Sequence, residues 1–351
     1  VGSEMCIRDS PTLAAGRPNQ TQPHTRRARR PQALGRAARA PILQKEAFCL
    51  MSISYPTHVE LVEVGPRDGF QSIKEFIPTE LKKEIIDRLV DAGCTTVQVT
   101  SFVHPKAIPQ MQDAKEVAQY VLQKYPALRA YALVPNLRGA QNAYEAGLRE
   151  ISYVISVSPG HNMANVRRTL DESFAELGTI LSTYPDMKVV LDAATTFGCP
   201  YDGEVTLQQV LDYVQRAHGL GIRDIDLCDT IGVATPLQVQ KTIEALRAQF
   251  PDITFGVHIH DTRNMGMACS LAAMQCGVTR VSTTVGGLGG CPFAPGASGN
   301  TASEDFVYMA EKMGIQTGVN FEKLLQTAKY LREKVPGNYS GHHINIQQPQ
   351  C

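Results

Sequence analysis

Two histidines one residue apart, His258-Ile259-His260, close a run of β-branched, aromatic and glycine residues that begins at Thr254. Such a run reads as a buried strand. Side chains alternate along a strand, so both imidazoles face the same side one pleat apart, where they can share a metal ion. Alone, the pair would be better explained as two hydrogen-bonded core histidines, because short motifs recur by chance. Other segments supply matching chemistry. Arg67 and Asp68 lie in the turn Gly65-Pro66-Arg67-Asp68-Gly69, although a surface ion pair would explain those two by themselves. A glycine-rich stretch from Gly286 to Asn300 carries one thiol, Cys291, and one amide, Asn300. Together Asp68, His258, His260 and Asn300 offer a carboxylate, two imidazoles and an amide carbonyl. That mixed oxygen–nitrogen set suits Mg²⁺ or Mn²⁺, with positions left for substrate oxygens. A catalytic Zn²⁺ site remains open, since two histidines and a carboxylate also hold that ion. Thiolate ligation is disfavoured, because Cys291 sits in a loop able to move as a lid and deliver a proton.

The elements that must position these groups follow a regular alternation from residue 59 onward. Strands are predicted over 59–64, 95–100, 129–134, 150–155, 188–193, 224–228, 253–260 and 280–285. Helices are predicted over 79–92, 110–124, 137–146, 171–182, 207–220, 236–249, 265–276 and 302–313. Thr79 is expected to cap the first, Asn136 precedes the third, and Thr235-Pro236 opens the sixth. Ser303-Glu304-Asp305 reads as ordinary helix-start capping. Residues 319–334 add one or two further helices. Eight apolar strands alternating with helices over about 250 residues predict an α/β fold, a (β/α)₈ TIM barrel with additional C-terminal helices. A doubly wound open sheet is the alternative, disfavoured because no Gly-rich dinucleotide fingerprint follows the first strand. In a barrel of this kind the strand C-termini form the active face. All the residues singled out above fall there.

Composition bounds the function. The 351 residues are 43% hydrophobic and 19% charged, with formal net charge +0. Residues 1–50 hold eight Arg and one Lys against three acids, so the remainder is mildly acidic. An acidic body argues against a nucleic-acid surface on the folded part. No run of about 18 apolar residues exists to span a membrane. Nine cysteines without a CxxC pair fit reduced intracellular use. Residues 1–50, rich in Pro, Ala, Gln and Arg, are expected to form a disordered or non-native extension. A transit peptide and a basic arm are weighed against a third account, in which Val1 to Ser10 is translated adaptor sequence and Met51 the start. Residues 51–351 are then the barrel domain, in the cytoplasm, or in the mitochondrial matrix if the extension is a transit peptide.

Five segments carry a family resemblance: Val62-Glu63-Val64-Gly65-Pro66-Arg67-Asp68-Gly69, Thr100-Ser101-Phe102-Val103, Asp229-Thr230-Ile231-Gly232-Val233, His258-Ile259-His260-Asp261-Thr262, and Gly286 to Asn300. In order and spacing they resemble the 3-hydroxy-3-methylglutaryl-CoA lyases, metal-dependent TIM-barrel lyases of the pyruvate carboxyltransferase-like group, over residues 59–334. The resemblance implies cleavage of that acyl-CoA to acetyl-CoA and acetoacetate. It implies that Asp68, His258, His260 and Asn300 hold a divalent cation, that Arg67 stabilises an enolate oxygen, that Cys291 is the acid/base thiol and that Asp229 relays a proton. A homodimer is the expected assembly. One departure is Gln98, where the family usually has Glu. If the residue faces inward, it removes a negative charge near the cluster, and it keeps alive a lyase for a related 3-hydroxyacyl-CoA. A Claisen-condensing synthase on the same barrel is a further alternative.

Overall fold

The computed structural model describes residues 54–290 and 299–347. The expected extension 1–50 and Cys291 lie outside the described residues.

Eight parallel strands close in sequence order into a barrel. They are β1 (Glu60–Glu63), β2 (Thr96–Ser101), β3 (Arg129–Val134), β4 (Glu150–Ser156), β5 (Lys188–Ala194), β6 (Asp224–Asp229), β7 (Thr254–Ile259) and β8 (Arg280–Thr283). The ring shuts where Leu61 of β1 pairs with Val281 of β8. Ten helices are described: α1 (Thr79–Asp91), α2 (Ala114–Lys124), α3 (Leu137–Glu145), α4 (Pro159–Val166), α5 (Leu170–Thr183), α6 (Leu207–Gly219), α7 (Pro236–Gln249), α8 (Gly266–Gln275), α9 (Ser303–Lys312) and α10 (Phe321–Lys334). The predicted TIM barrel is present, with one helix, α10, in the 319–334 segment.

Strand alternation sorts the side chains into two populations. Outward residues such as Leu61, Val97, Val99, Ile151, Tyr153, Leu191, Ile225, Val257 and Val281 join helix residues such as Ile85, Leu89, Ile180 and Phe306 in one continuous apolar core. Each fully buried aliphatic of this layer contributes roughly 1.5–3 kcal/mol. Inward residues are mostly polar, and among the described residues Val62, Val64 and Tyr131 form a small separate apolar cluster there.

Local signals explain most boundaries. Asn136 accepts the Gly139 amide and Thr235 that of Gln238, so α3 and α7 start where expected. Thr169 and Thr206 complete reciprocal capping boxes with Glu172 and Gln209. Thr79 does not cap α1. Pro78 occupies that position, and the Thr79 hydroxyl donates to Asp113 at 2.9 Å. Helix α4 was not anticipated, although Ser158-Pro159 is a helix-start pair and Ser158 accepts the His161 amide.

Helix α9 fixes the chain that leaves Asn300, and Phe306 at its centre is 0% exposed. Phe306→Ala is expected to cost roughly 3–5 kcal/mol in urea unfolding, the range for an aromatic removed from a packed core.

Candidate active site

The site is built at the C-terminal mouth. After β1 the chain makes one buried π-helical turn, Gly65–Gly69. Pro66 lacks an amide to satisfy, the amides of Arg67 and Asp68 both reach the Val64 carbonyl, and Phe70 anchors the exit with 0% exposure. Consecutive residues on so tight a turn project Arg67 and Asp68 into the lumen. At the same mouth His258 sits near the end of β7 and His260 just past it, their ring centroids 5.3 Å apart. His260 forms an antiparallel bridge with Asn300, which brings the end of the last loop alongside.

The four expected ligands converge. Asn300 donates from Nδ2 to Asp68 Oδ2 at 2.7 Å, and its Oδ1 meets His258 Nε2 at 2.7 Å. His260 Nε2 lies 3.9 Å from Asp68 Oδ2. One ligand atom each from Asp68, His258 and His260 fall within 4.8 Å of one another. Asp68 Oδ1 accepts from Gln71 at 3.0 Å and from Arg67, whose Nε donates to Gln98. Gly289 permits this closeness, because a Cβ there would lie 2.5 Å from Asn300 Nδ2.

Protonation states fit a divalent ion. Burial opposes ionisation of Asp68, but the charges of Arg67, His258 and His260 hold its carboxyl well below the usual range. Burial, then the field of His258, pulls His260 down to about 4 against the attraction of Asp68. At neutral pH the set offers an anionic carboxylate and a neutral imidazole, the forms that donate lone pairs to a metal.

Residues 58–331 match the HMGL-like family. Hydroxymethylglutaryl-CoA lyase of Bacillus subtilis (strain 168) is 43% identical over 283 residues, 80% of this chain and 94% of the relative. The mitochondrial hydroxymethylglutaryl-CoA lyase of Macaca fascicularis is 40% identical over 278 residues, 79% of this chain and 85% of the relative. The solved structure of an HMG-CoA lyase from Acinetobacter baumannii, in complex with coenzyme A and 3-methylmalate, superposes with TM-score 0.79 at 36% identity, covering 84% of this chain and 96% of that one. The chain belongs to the HMGL-like family. The family is metal-dependent, and Asp68, His258 and His260 form a possible metal site in this member. No helix among the described residues is long and apolar enough to cross a membrane.

Other residues of this HMGL-like site take different positions. Asp229 accepts amides from Val233 at 3.0 Å and Ala234 at 2.9 Å, and burial raises its carboxyl despite them. Ser303, Glu304 and Asp305 do not cap α9, as the sequence suggested; Ala302 holds the cap position without a side-chain bond. Glu304 accepts the Gly286 amide at 2.8 Å, and Asp305 accepts those of His342 and His343 at 2.7 and 3.0 Å, so they tie the last loop and the C-terminal tail to the barrel. Sequence reasoning passed over Glu63, which accepts from Gly65 at 2.8 Å, Val285 at 3.0 Å and Ser303 at 2.6 Å. The signal was a carboxylate ending an otherwise apolar strand.

Two predictions follow from these charges. Asp68→Asn should weaken Mn²⁺ binding in titration calorimetry by more than the roughly 10–100-fold lost with an outer-shell partner. Burial raises Glu304 to about 8 and Glu63 to about 7, from the ordinary 4.5. The folded state therefore holds extra protons between these limits, and stability falls as pH rises from about 4.5 to 8. Glu304→Gln, which cannot ionise, should flatten that fall in urea titrations at pH 5 and pH 8.

Proposed function

We propose that this chain cleaves 3-hydroxy-3-methylglutaryl-CoA to acetyl-CoA and acetoacetate, as a divalent-metal-dependent carbon–carbon lyase. The observation that carries the reading is the meeting of Asp68, His258 and His260 beside a buried arginine at the barrel mouth, in a chain of this family. Asp68, His258, His260 and Asn300 would hold the ion, with Mg²⁺ or Mn²⁺ favoured by the oxygen-rich donor set. When bound, it supplies Lewis acidity that eases loss of the 3-hydroxyl proton.

The chain's own groups would then serve the bond cleavage. As the C2–C3 bond breaks, its electron pair moves onto C2 and the thioester carbonyl, while the former hydroxyl carbon becomes the ketone of acetoacetate. The developing enolate oxygen needs a fixed cation. Arg67 is proposed for it, its guanidinium held by Gln98 and Asp68 and shielded from water, where such an interaction is strengthened. C2 next takes a proton, and Cys291 is the proposed donor on sequence grounds. A thiol of pKa about 8.5 is mostly protonated at neutral pH yet yields its proton readily. Asp229 is the proposed relay for the hydroxyl proton. Its carboxyl, raised by burial, supports the role.

A second reading, a lyase for a related 3-hydroxyacyl-CoA, draws on Gln98 and on two further lumen carboxylates, Asp192 and Asp226, all buried. A homodimer in the cytoplasm is carried forward from the sequence as the proposed assembly and location. The described cysteines Cys94, Cys199, Cys228, Cys269 and Cys276 are free, in keeping with a reducing compartment.

The deciding assay is product analysis of purified protein on HMG-CoA, after chelation and after Mg²⁺ or Mn²⁺ is restored. Acetyl-CoA and acetoacetate in equal amounts, formed only with metal, are expected. A strong preference for another 3-hydroxyacyl-CoA in a panel would replace the first reading with the second. Cys291→Ser should lower kcat by roughly 10²-fold or more, the scale of a lost general acid, while leaving Mn²⁺ affinity unchanged.

A further inference from the structure

Below the metal-ligand cluster the lumen departs from the usual filling of such barrels, in which layers of branched apolar side chains predominate. Around Val62 and Tyr131 stand Gln98, Ser152, Asp192, Asp226 and Arg280, all buried. One acid of this group is paired directly. Arg280 donates to Asp226 Oδ1 from Nε at 3.0 Å and from a terminal nitrogen at 2.7 Å, and also reaches Asp224. Gly256 makes room for that pair, since a Cβ there would lie 2.0 Å from Asp226 Oδ1 and 2.7 Å from Arg280 Nε. Asp192 is placed differently: β4 and β5 pair with Val154 opposite Asp192, so inward-facing Ser152 stands diagonally beside it and its hydroxyl faces the carboxyl.

That hydroxyl ends a line of donors. Arg67 Nε donates to Gln98 Oε1, Gln98 Nε2 donates to Ser152 Oγ at 2.8 Å, and Asp192 lies on the far side of that hydroxyl, one strand over on the same inward face. The line crosses the lumen, because β2 and β4 are not neighbours in the ring. Its direction is forced. A guanidinium can only donate, so Gln98 must turn its oxygen to Arg67 and its amide to Ser152. Ser152, already accepting, has its single proton left for Asp192. Each link fixes the orientation of the next, from the cation at the mouth to an anion one layer below. A carboxylate at position 98 would break the line, for it would accept from both sides and draw the Ser152 proton away from Asp192.

We propose that Asp192 is a positioning residue for the lyase reaction, fixing the Arg67 guanidinium through Ser152 and Gln98. The proposal rests on the role given to Arg67 above. Arg67 touches the reacting oxygen, whereas Asp192 acts through it.

Burial and then the charge of Asp226 push Asp192 up to about 7, while Arg67 and Arg280 pull it back. The other titratable groups felt at this position are Cys228, Tyr131 and Tyr213, all raised well above their ordinary values by burial first, so they stay neutral across this range. The line therefore keeps its anionic end above neutral pH and loses it below. Because ionised Asp192 is the strong acceptor, kcat falls as pH drops through about 7.

The test uses the full chain with its metal and compares Asp192→Asn, Ser152→Ala and the double variant. Asp192→Asn lowers kcat on HMG-CoA roughly tenfold, the scale of a loosened reacting group, with KM changed less than about twofold. It also removes the acid-side fall in kcat. Ser152→Ala does the same, and adding Asp192→Asn to it costs nothing more, as for two links of one line. Ser152→Thr, which keeps the hydroxyl, retains activity. Independently, the Nε–H NMR resonance of Arg67 moves with a midpoint near 7 in the parent chain and does not move in either single variant. That resonance needs no turnover. If the parent chain fails to cleave HMG-CoA, the functional reading fails, and the resonance alone decides the positioning. A resonance indifferent to pH or to Asp192→Asn overturns the proposal. So does an active parent whose variants keep its kcat and pH profile, or whose losses add.

Discussion

One carboxylate that joins the turn after the first strand to the loop after the last underlies the site. Asp68 rides on the first turn after β1, and Asn300 arrives from the loop after β8, more than two hundred residues later. The bond between them, with Asn300 also meeting His258, brings the two closing strands of the ring to one point. A parallel barrel puts all eight strand C-termini on the same face, so groups far apart in sequence can meet only if the ring shuts in the right register. The pairing of β1 with β8 supplies that register. The π-helical turn supplies the rest, by aiming two consecutive side chains inward where a strand would send them to opposite faces.

Holding so much charge in the lumen is costly, because buried ions lose their hydration. The fold offsets this by leaving each buried charge a partner. Arg67 has Asp68 and Gln98, and Asp226 has Arg280. At the N-terminal end Arg129 bridges Glu60 and Glu150 at 2.8 and 2.5 Å. The two ends of the barrel thus use their charges differently. Those at the bottom are satisfied by one another and close the ring. Those at the top keep lone pairs directed into a common volume, the condition for holding a ligand.

The barrel and most of its site were legible in the sequence. β3 and α7 fall where periodicity placed them, because their apolar alternation and caps agree. His258 and His260 were readable from the strand alternation, and Asn300 from its place at the end of a loop that must return to the mouth. Three features were not legible. Helix α4 lies inside a loop whose apolar signal is short, so its Ser-Pro start went unnoticed. The inward side of Gln98 depends on the register between β2 and β3, which shifts between Gln98 and Thr100. Ser152 and Asp192 looked like isolated polar residues in apolar strands. Their significance lies in which side of the barrel they face, and only ring closure decides that.

Ring closure also explains why Glu63 and Glu304 are tolerated as fully buried acids. Both sit where the first and last strands meet, and both accept amides from the start of the β8 loop, Glu63 from Val285 and Glu304 from Gly286. Backbone amides that cannot reach a ladder partner at a strand end must be satisfied some other way, and an acceptor-rich side chain serves. Glu63 further accepts from Ser303, whose hydroxyl meets Thr283, so one carboxylate links β1, β8 and α9. Asn300 leaves the same loop only a few residues before α9. The acids that hold the loop's two ends therefore also set where Asn300 can lie, and through it the position of Asp68. On this view the geometry of the Asp68, His258, His260 and Asn300 cluster is secured by carboxylates that stand outside it.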